Sequence, residues 1–100
     1  MSDRHPNADV PIAVIKSASG KAYSAADRRT ISRVVKEKLL LTSMEPYHKA
    51  QVEVQLAKDG SPKALVVSLL RAHTYTADRV KVNVDRNYAV RSIERESAGD

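Results

Sequence analysis

The segment Gln51-Val52-Glu53-Val54-Gln55-Leu56 alternates polar and apolar side chains without exception. Successive side chains of a β-strand point to opposite faces, so this pattern predicts a half-buried strand with Val52, Val54 and Leu56 facing inward. The segment Lys58-Asp59-Gly60-Ser61-Pro62-Lys63 follows and contains Asp-Gly, a pair typical of hairpin turns. The next apolar run is therefore expected to return along the first strand.

That run, Ala64-Leu65-Val66-Val67-Ser68-Leu69-Leu70, is compatible with two structures. As a strand it is apolar on both faces and pairs back onto the preceding strand. As a helix it would begin with Ser61 as N-cap and Pro62 in the first position, and it would extend over residues 62–73. We favour the strand, because two consecutive valines are stiff at χ1 and Asp-Gly indicates a hairpin.

Two further segments have strand character. Val10-Pro11-Ile12-Ala13-Val14-Ile15-Lys16 is short and rich in β-branched residues. Pro11 cannot donate a ladder hydrogen bond, so this strand is expected at an edge of the sheet. Arg79-Val80-Lys81-Val82-Asn83-Val84 alternates cleanly, with its valines predicted to face inward.

The last predicted strand is Ala89-Val90-Arg91-Ser92-Ile93-Glu94. Val90 and Ile93 lie on opposite faces of this strand unless a bulge intervenes. Together with residues 80–85 it resembles the closing hairpin of PepSY-type and cystatin-like domains, which implies that the two segments pair. The glycine that those domains usually place in the turn is absent, and Asn87 stands near its position.

A helix is predicted from about Ala25 to about Leu41. Ser24-Ala25-Ala26-Asp27 matches the capping pattern in which a serine precedes an acidic residue by three positions. Helical spacing places four apolar side chains on one face: Ile31, Val34, Val35 and Leu41. Lys38 falls inside that apolar arc, where we expect it to extend its charge to the edge of the packed region.

The resulting element order is β-α-β-β-β-β. It predicts an α+β fold with two layers, an antiparallel sheet of about four to five strands with one main helix on one face. The alternative order is β-α-β-α-β-β, if residues 62–73 are helical. We expect one domain over residues 10–95, with flexible tails over residues 1–9 and 96–100.

Composition narrows the protein class. The chain has 100 residues and no cysteine, which fits one domain and excludes a disulfide scaffold. Trp and Phe are absent, so the core must be built from aliphatic side chains. No apolar run approaches the ~18 residues needed to span a bilayer. We therefore predict a cytoplasmic protein that does not interact with a membrane.

The charge is concentrated in one part of the chain. The formal net charge is +5, and the excess of basic over acidic residues between positions 16 and 38 equals that whole value. This concentration suggests an anion-attracting surface, and nucleic acid is one candidate ligand. The candidate binding residues are Lys16, Lys21, Arg28, Arg29, Arg33 and Lys36. The alternative is a basic helix face that is merely solvated.

Signals for catalysis are weak. His5, His48 and His73 are not at metal-ligand spacing, and neither cysteine nor a Gly-x-Ser-x-Gly motif is present. Gly20-Lys21 lacks the other residues of a phosphate-binding loop. We therefore predict no catalytic residue, metal or cofactor, and an enzyme or a small-ligand pocket between helix and sheet is the third hypothesis.

Self-association is the leading functional expectation. In a central strand, Leu65, Val67 and Leu69 point to one face, while the alternate residues of the run point to the other. One helix covers only one face, and exposed apolar patches usually mark interfaces. We therefore predict a small non-catalytic interaction domain, a homodimer or a binder of another protein, with Leu65, Val67 and Leu69 in its interface.

Overall fold

The computed structural model describes residues 5–15 and 23–95, and it confirms the predicted α+β fold and element order. The run over residues 64–70 is a strand. A helix α1 continues into one π-helical turn, hereafter the π turn, and five strands form one sheet. The elements are β1 (Ile12–Ile15), α1 (Ala25–Val35), the π turn (Lys36–Leu40), β2 (Tyr47–Leu56), β3 (Pro62–Arg71), β4 (Ala77–Val84) and β5 (Val90–Arg95).

The strands follow one another across the sheet in chain order. The strands from β2 to β5 are antiparallel neighbours, whereas β1 is parallel to β2. The sheet is therefore mostly rather than wholly antiparallel, because the chain crosses over through the helix between β1 and β2. As predicted from Pro11, β1 lies at an edge of the sheet, and it begins immediately after that residue.

A register shift between β4 and β5 accounts for the irregular spacing of the last strand. Val84 pairs with Val90, but the preceding residue of β4, Asn83, pairs with Ser92. Arg91 is thus the extra residue of a bulge, and Val90 and Ile93 come to the same face of the sheet. In the turn before β5, Tyr88 is the residue with positive φ, at 63°.

The helix begins as its capping pattern predicts and ends differently. The Asp27 N–H donates to the Ser24 Oγ at 3.1 Å. At the other end, the Leu41 N–H donates to the carbonyl of Lys36, five residues earlier. This wider turn shifts the helical register, so that Lys38 is exposed while two leucines of the π turn, at positions 39 and 40, are buried. The inward position predicted for Leu41 is wrong, since that side chain is 39% exposed.

The core lies between the helix and one face of the sheet. It is almost entirely aliphatic, and its burial provides most of the driving force for folding, about 1.5–3 kcal/mol for each large side chain. The helix contributes Ile31, Val35, Leu39 and Leu40, and the central strands contribute Ala50, Val52, Val54, Leu65, Val67, Leu69, Val80, Val82 and Val84.

The amino-terminal segment is part of the folded domain. The Asn7 side chain is fully buried, and its Nδ2 donates to the carbonyls of Leu40, Ser43 and Glu45 at 3.0–3.1 Å. Its Oδ1 accepts from the Tyr47 N–H at 3.0 Å. The prediction of a flexible tail is therefore wrong for residues 5–9, while residues 1–4 and 96–100 lie outside the described residues.

Candidate functional site

A groove of about 730 Å³ runs between the helix and the edge strand β1. We call it the basic groove. Two half-buried side chains, Val10 and Ile12, contribute from the strand side. The helix side contributes Arg28, Arg29, Ser32, Arg33, Lys36, Glu37 and Leu41. The groove therefore combines an apolar floor with a wall that is predominantly cationic.

The cationic wall follows from helical spacing. Arg29, Arg33 and Lys36 lie four and three residues apart, which places them on one side of the helix. They and Arg28 are exposed, and none of them forms an ion pair within residues 5–15 and 23–95. Glu37 is the one carboxylate among the residues that line the groove. Four of the six basic residues predicted from sequence thus share one surface, while Lys16 and Lys21 lie outside the described residues.

The residues predicted for a dimer interface lie elsewhere. Leu65, Val67 and Leu69 are fully buried in the core beneath the helix, so their assignment to an interface is wrong. The sequence pattern was ambiguous because β3 is apolar on both faces, and the helix packs on the face that carries these three side chains. The face without the helix carries Ala64, Val66, Ser68 and Leu70.

The open face of the sheet, meaning the face opposite α1, is largely polar. The strands beside β3 contribute charged and amide side chains to it: Gln51, Glu53, Gln55, Arg79, Lys81 and Asn83. The Asn83 amide donates to Ser92 Oγ at 2.9 Å and to Glu94 Oε2 at 2.8 Å. Half-buried Val66 and Leu70 are the larger apolar residues of this face on the central strand. Such a polar surface can remain exposed to solvent, so it gives only weak support to the hypothesis that this face forms a large apolar interface.

An ion-pair network closes the end of the sheet where β2 and β4 begin. Arg71 contacts Glu45 at 2.8 Å and Asp78 at 3.0 Å, and the Tyr47 hydroxyl donates to Asp78 at 2.7 Å. Burial alone would raise the pKa of Asp78, but hydrogen bonds from Tyr47 and Arg71 hold it below the ordinary value. Burial and the hydrogen bond to Asp78 raise the pKa of Tyr47. Each member has a structural partner, so the network stabilises the fold.

A second cavity, of about 500 Å³, brings two of the three histidines to one surface. His48 and His73 line it together with the hairpin residues that follow β3, including the fully exposed Tyr75. Their proximity follows from the pairing of Tyr47 with Arg71, which sequence spacing alone did not reveal. Within the described part of the chain, no group of three or more His, Asp or Glu side chains is placed to hold a metal ion.

Two tyrosines lie near the start of α1. The Tyr23 hydroxyl is buried, and no described residue hydrogen-bonds to it. Burial raises the pKa of Tyr88, and the nearby charge of Asp27 raises it further. A phenol held in its protonated form is a poor nucleophile and base at neutral pH, so Tyr88 fits a packing role.

No protein-family model matches the chain, and no match was found among curated proteins or solved structures. In the described ranges, no helix has the length and apolar character required to cross a membrane. The functional conclusion therefore rests on the geometry and charge of the surfaces described above.

Proposed function

We propose that this protein is a cytoplasmic, non-catalytic binding domain that recognises an anionic partner through the basic groove. The observation that carries the proposal is the row of exposed cations without ion-pair partners, among the described residues, along one wall of a shallow, open groove. A merely solvated basic helix needs neither the concavity nor the apolar floor formed by Val10 and Ile12. Their combination favours binding over simple solvation.

The expected partner carries several negative charges. A single exposed ion pair contributes little to affinity, because water and salt screen it. Three or four cations in a row can engage a polymer that presents carboxylates or phosphates together, and their summed field also accelerates its association. This reasoning favours a polyanionic segment over a small monovalent anion.

The test replaces the cationic wall. The variant Arg29→Gln, Arg33→Gln, Lys36→Gln should bind poly-L-glutamate about tenfold or more weakly than the unmodified protein, as expected for the loss of three weak contacts. Its affinity should also vary less with salt concentration. Fluorescence anisotropy at ~50 mM salt measures both quantities, with duplex DNA as a second probe.

The matched control removes equal charge from the open face of the sheet. The variant Lys49→Gln, Arg79→Gln, Lys81→Gln has the same net charge as the groove variant, but its substitutions lie on β2 and β4. It should keep most of the binding. Equal losses in both variants would show that only net charge matters, and absence of binding by the unmodified protein would refute the proposed function.

Self-association through the open face is a second candidate function. It is favoured by half-buried Val66 and Leu70 on the central strand of a face that no described element covers. The polar residues around them make this interface weaker than the one expected from the sequence. Its test is the molar mass in solution, given in the Discussion.

A further inference from the structure

We propose that the anionic partner is an extended acidic polypeptide segment that adds a strand to the outer edge of β1. This inference rests on the proposed function and specifies the partner of the same groove. It joins two observations, the charge of the groove and the outer edge of β1, with which no other described strand pairs.

The outer edge of β1 offers hydrogen-bonding groups to an added strand. β1 pairs with β2 on one side, and no other described strand pairs with it. The Ala50 N–H donates to the carbonyl of Pro11 at 2.9 Å, so residue 11 faces β2. Successive residues of a strand direct their backbone groups to opposite edges. The N–H and C=O groups of Ile12 and Val14 therefore point outward, away from the sheet.

The two edges of the sheet differ in their protection. Edge strands commonly carry charged residues that discourage pairing with another chain. β5 follows this rule, with exposed Arg91, Glu94 and Arg95. β1 has the sequence Ile-Ala-Val-Ile and contains no charge. The short length of β1 and the preceding Pro11 also limit pairing, but this edge without charged side chains is the one that borders the basic groove.

The groove determines which side chains the added strand should carry. Ile12 pairs with Ala50 of the core face, so the side chains of an added strand on that face lie over the floor and beside the helix. Glutamate suits this position, because its methylene groups can cover Val10 and Ile12 while its carboxylate reaches the cationic wall. We therefore expect glutamate at alternate positions of the bound segment.

The charge and composition of the groove argue against two other partners, a second copy of this chain and nucleic acid. Pairing of β1 with β1 of a second copy would place two cationic helix faces next to each other. Nucleic acid would satisfy the cations, but single-strand binders usually stack bases on aromatic side chains, and no aromatic residue is among the described residues that line the groove. An acidic peptide satisfies both the cations and the outward backbone groups of Ile12 and Val14.

The decisive experiment follows amide exchange by NMR while an alternating Thr-Glu peptide is added to the intact protein. The amides of Ile12 and Val14 should become protected, whereas the amide of Ala13, already directed toward β2, should change little. Unchanged exchange of both outward amides at saturating peptide would overturn strand addition, even if the basic groove binds the peptide.

Modified peptides separate backbone pairing from charge. N-methylation of the peptide on the edge that pairs should weaken binding about tenfold, as expected when one or two hydrogen bonds are lost, whereas N-methylation on the opposite edge should have little effect. Equal affinity of both modified peptides would refute strand addition and leave the proposed function standing. Failure of the parent peptide, poly-L-glutamate and duplex DNA to bind would refute the proposed function itself.

A substitution in the protein provides an independent check. Val14→Pro removes an outward N–H and leaves the hydrogen bonds to β2 in place, so it should weaken peptide binding about tenfold and raise by the same factor the peptide concentration that protects Ile12. Val14→Ala is the matched control, because it shortens the side chain and keeps the N–H. If Val14→Pro unfolds the protein by circular dichroism, the N-methylated peptides still decide the question.

Discussion

Replacement of Asn7 by alanine should destabilise the protein more than any surface substitution of the same kind. The buried amide makes hydrogen bonds to three carbonyls and one N–H. Two of these bonds, to Leu40 and Tyr47, are buried. Asn7→Ala leaves the buried Tyr47 N–H without its partner, while the Leu40 carbonyl keeps only the bond from the Ser43 N–H, at 3.3 Å. With ~1–3 kcal/mol for the unpartnered N–H and ~1 kcal/mol for the bond lost at Leu40, the free energy of unfolding should fall by roughly 2–4 kcal/mol. The melting temperature should fall by roughly 10–20 °C for a domain of this size.

Urea denaturation followed by circular dichroism measures this change, and Asn83→Ala is the matched control. Asn83 also hydrogen-bonds through its side chain amide, but to the exposed residues Ser92 and Glu94. Its replacement should change stability by about 0.5 kcal/mol or less. Similar losses for the two variants would refute the reasoning, because they would show that burial of the Asn7 amide does not determine its contribution.

Three further predictions address the turn, the ion-pair network and the oligomeric state. Gly60 has φ of +87° and open space where a Cβ would stand, so Gly60→Ala should lower the free energy of unfolding by about 1 kcal/mol through backbone strain alone. Gly60→Asn should lower it by less, and equal effects of the two variants in chemical denaturation would contradict this reasoning. Asp78 has a lowered pKa in the folded protein, so its stabilising contribution is present above its ordinary pKa and is lost as the pH falls through the folded value. Asp78→Asn should therefore reduce the loss of stability at acidic pH. An unchanged dependence of stability on acidic pH would contradict the stabilising role of Asp78. If Val66 and Leu70 form an interface, sedimentation equilibrium at tens of micromolar should give the mass of a dimer, and Val66→Lys should dissociate that dimer. A mass of one chain throughout would eliminate self-association at these concentrations.

Alternation made most of the sheet predictable. Residues 51–56 and 79–84 each bury one face of a strand. Their apolar side chains recur at every second residue, a spacing that does not produce an apolar face on a helix. The turn chemistry of Asp59-Gly60 then settled the doubly apolar run of β3 in favour of a strand. These features are local, so they can be recognised without knowing what the strands pack against.

The errors concern features that depend on distant contacts. Which face of β3 is buried depends on where the helix packs, and the sequence of the strand alone does not give that information. The π turn depends on burial of Leu39 and Leu40 against the sheet. Asn7 was assigned to a tail because its partners lie 33 to 40 residues away, and a single polar residue near a chain end carries no periodic signal. The cationic wall was predictable from helical spacing, whereas the apolar floor and the outward edge of β1 required the sheet order.

The same buried amide that stabilises the fold also positions the candidate site. Asn7 holds the end of the helix, and its own carbonyl accepts from the N–H of Val10, the first residue of the groove floor. The chain then continues directly into β1, whose outer backbone groups are proposed to bind the partner. A change at Asn7 would therefore alter stability and groove geometry together. Substitutions of exposed Arg29, Arg33 and Lys36 remove charge without touching this anchor, which is why they test binding independently of folding.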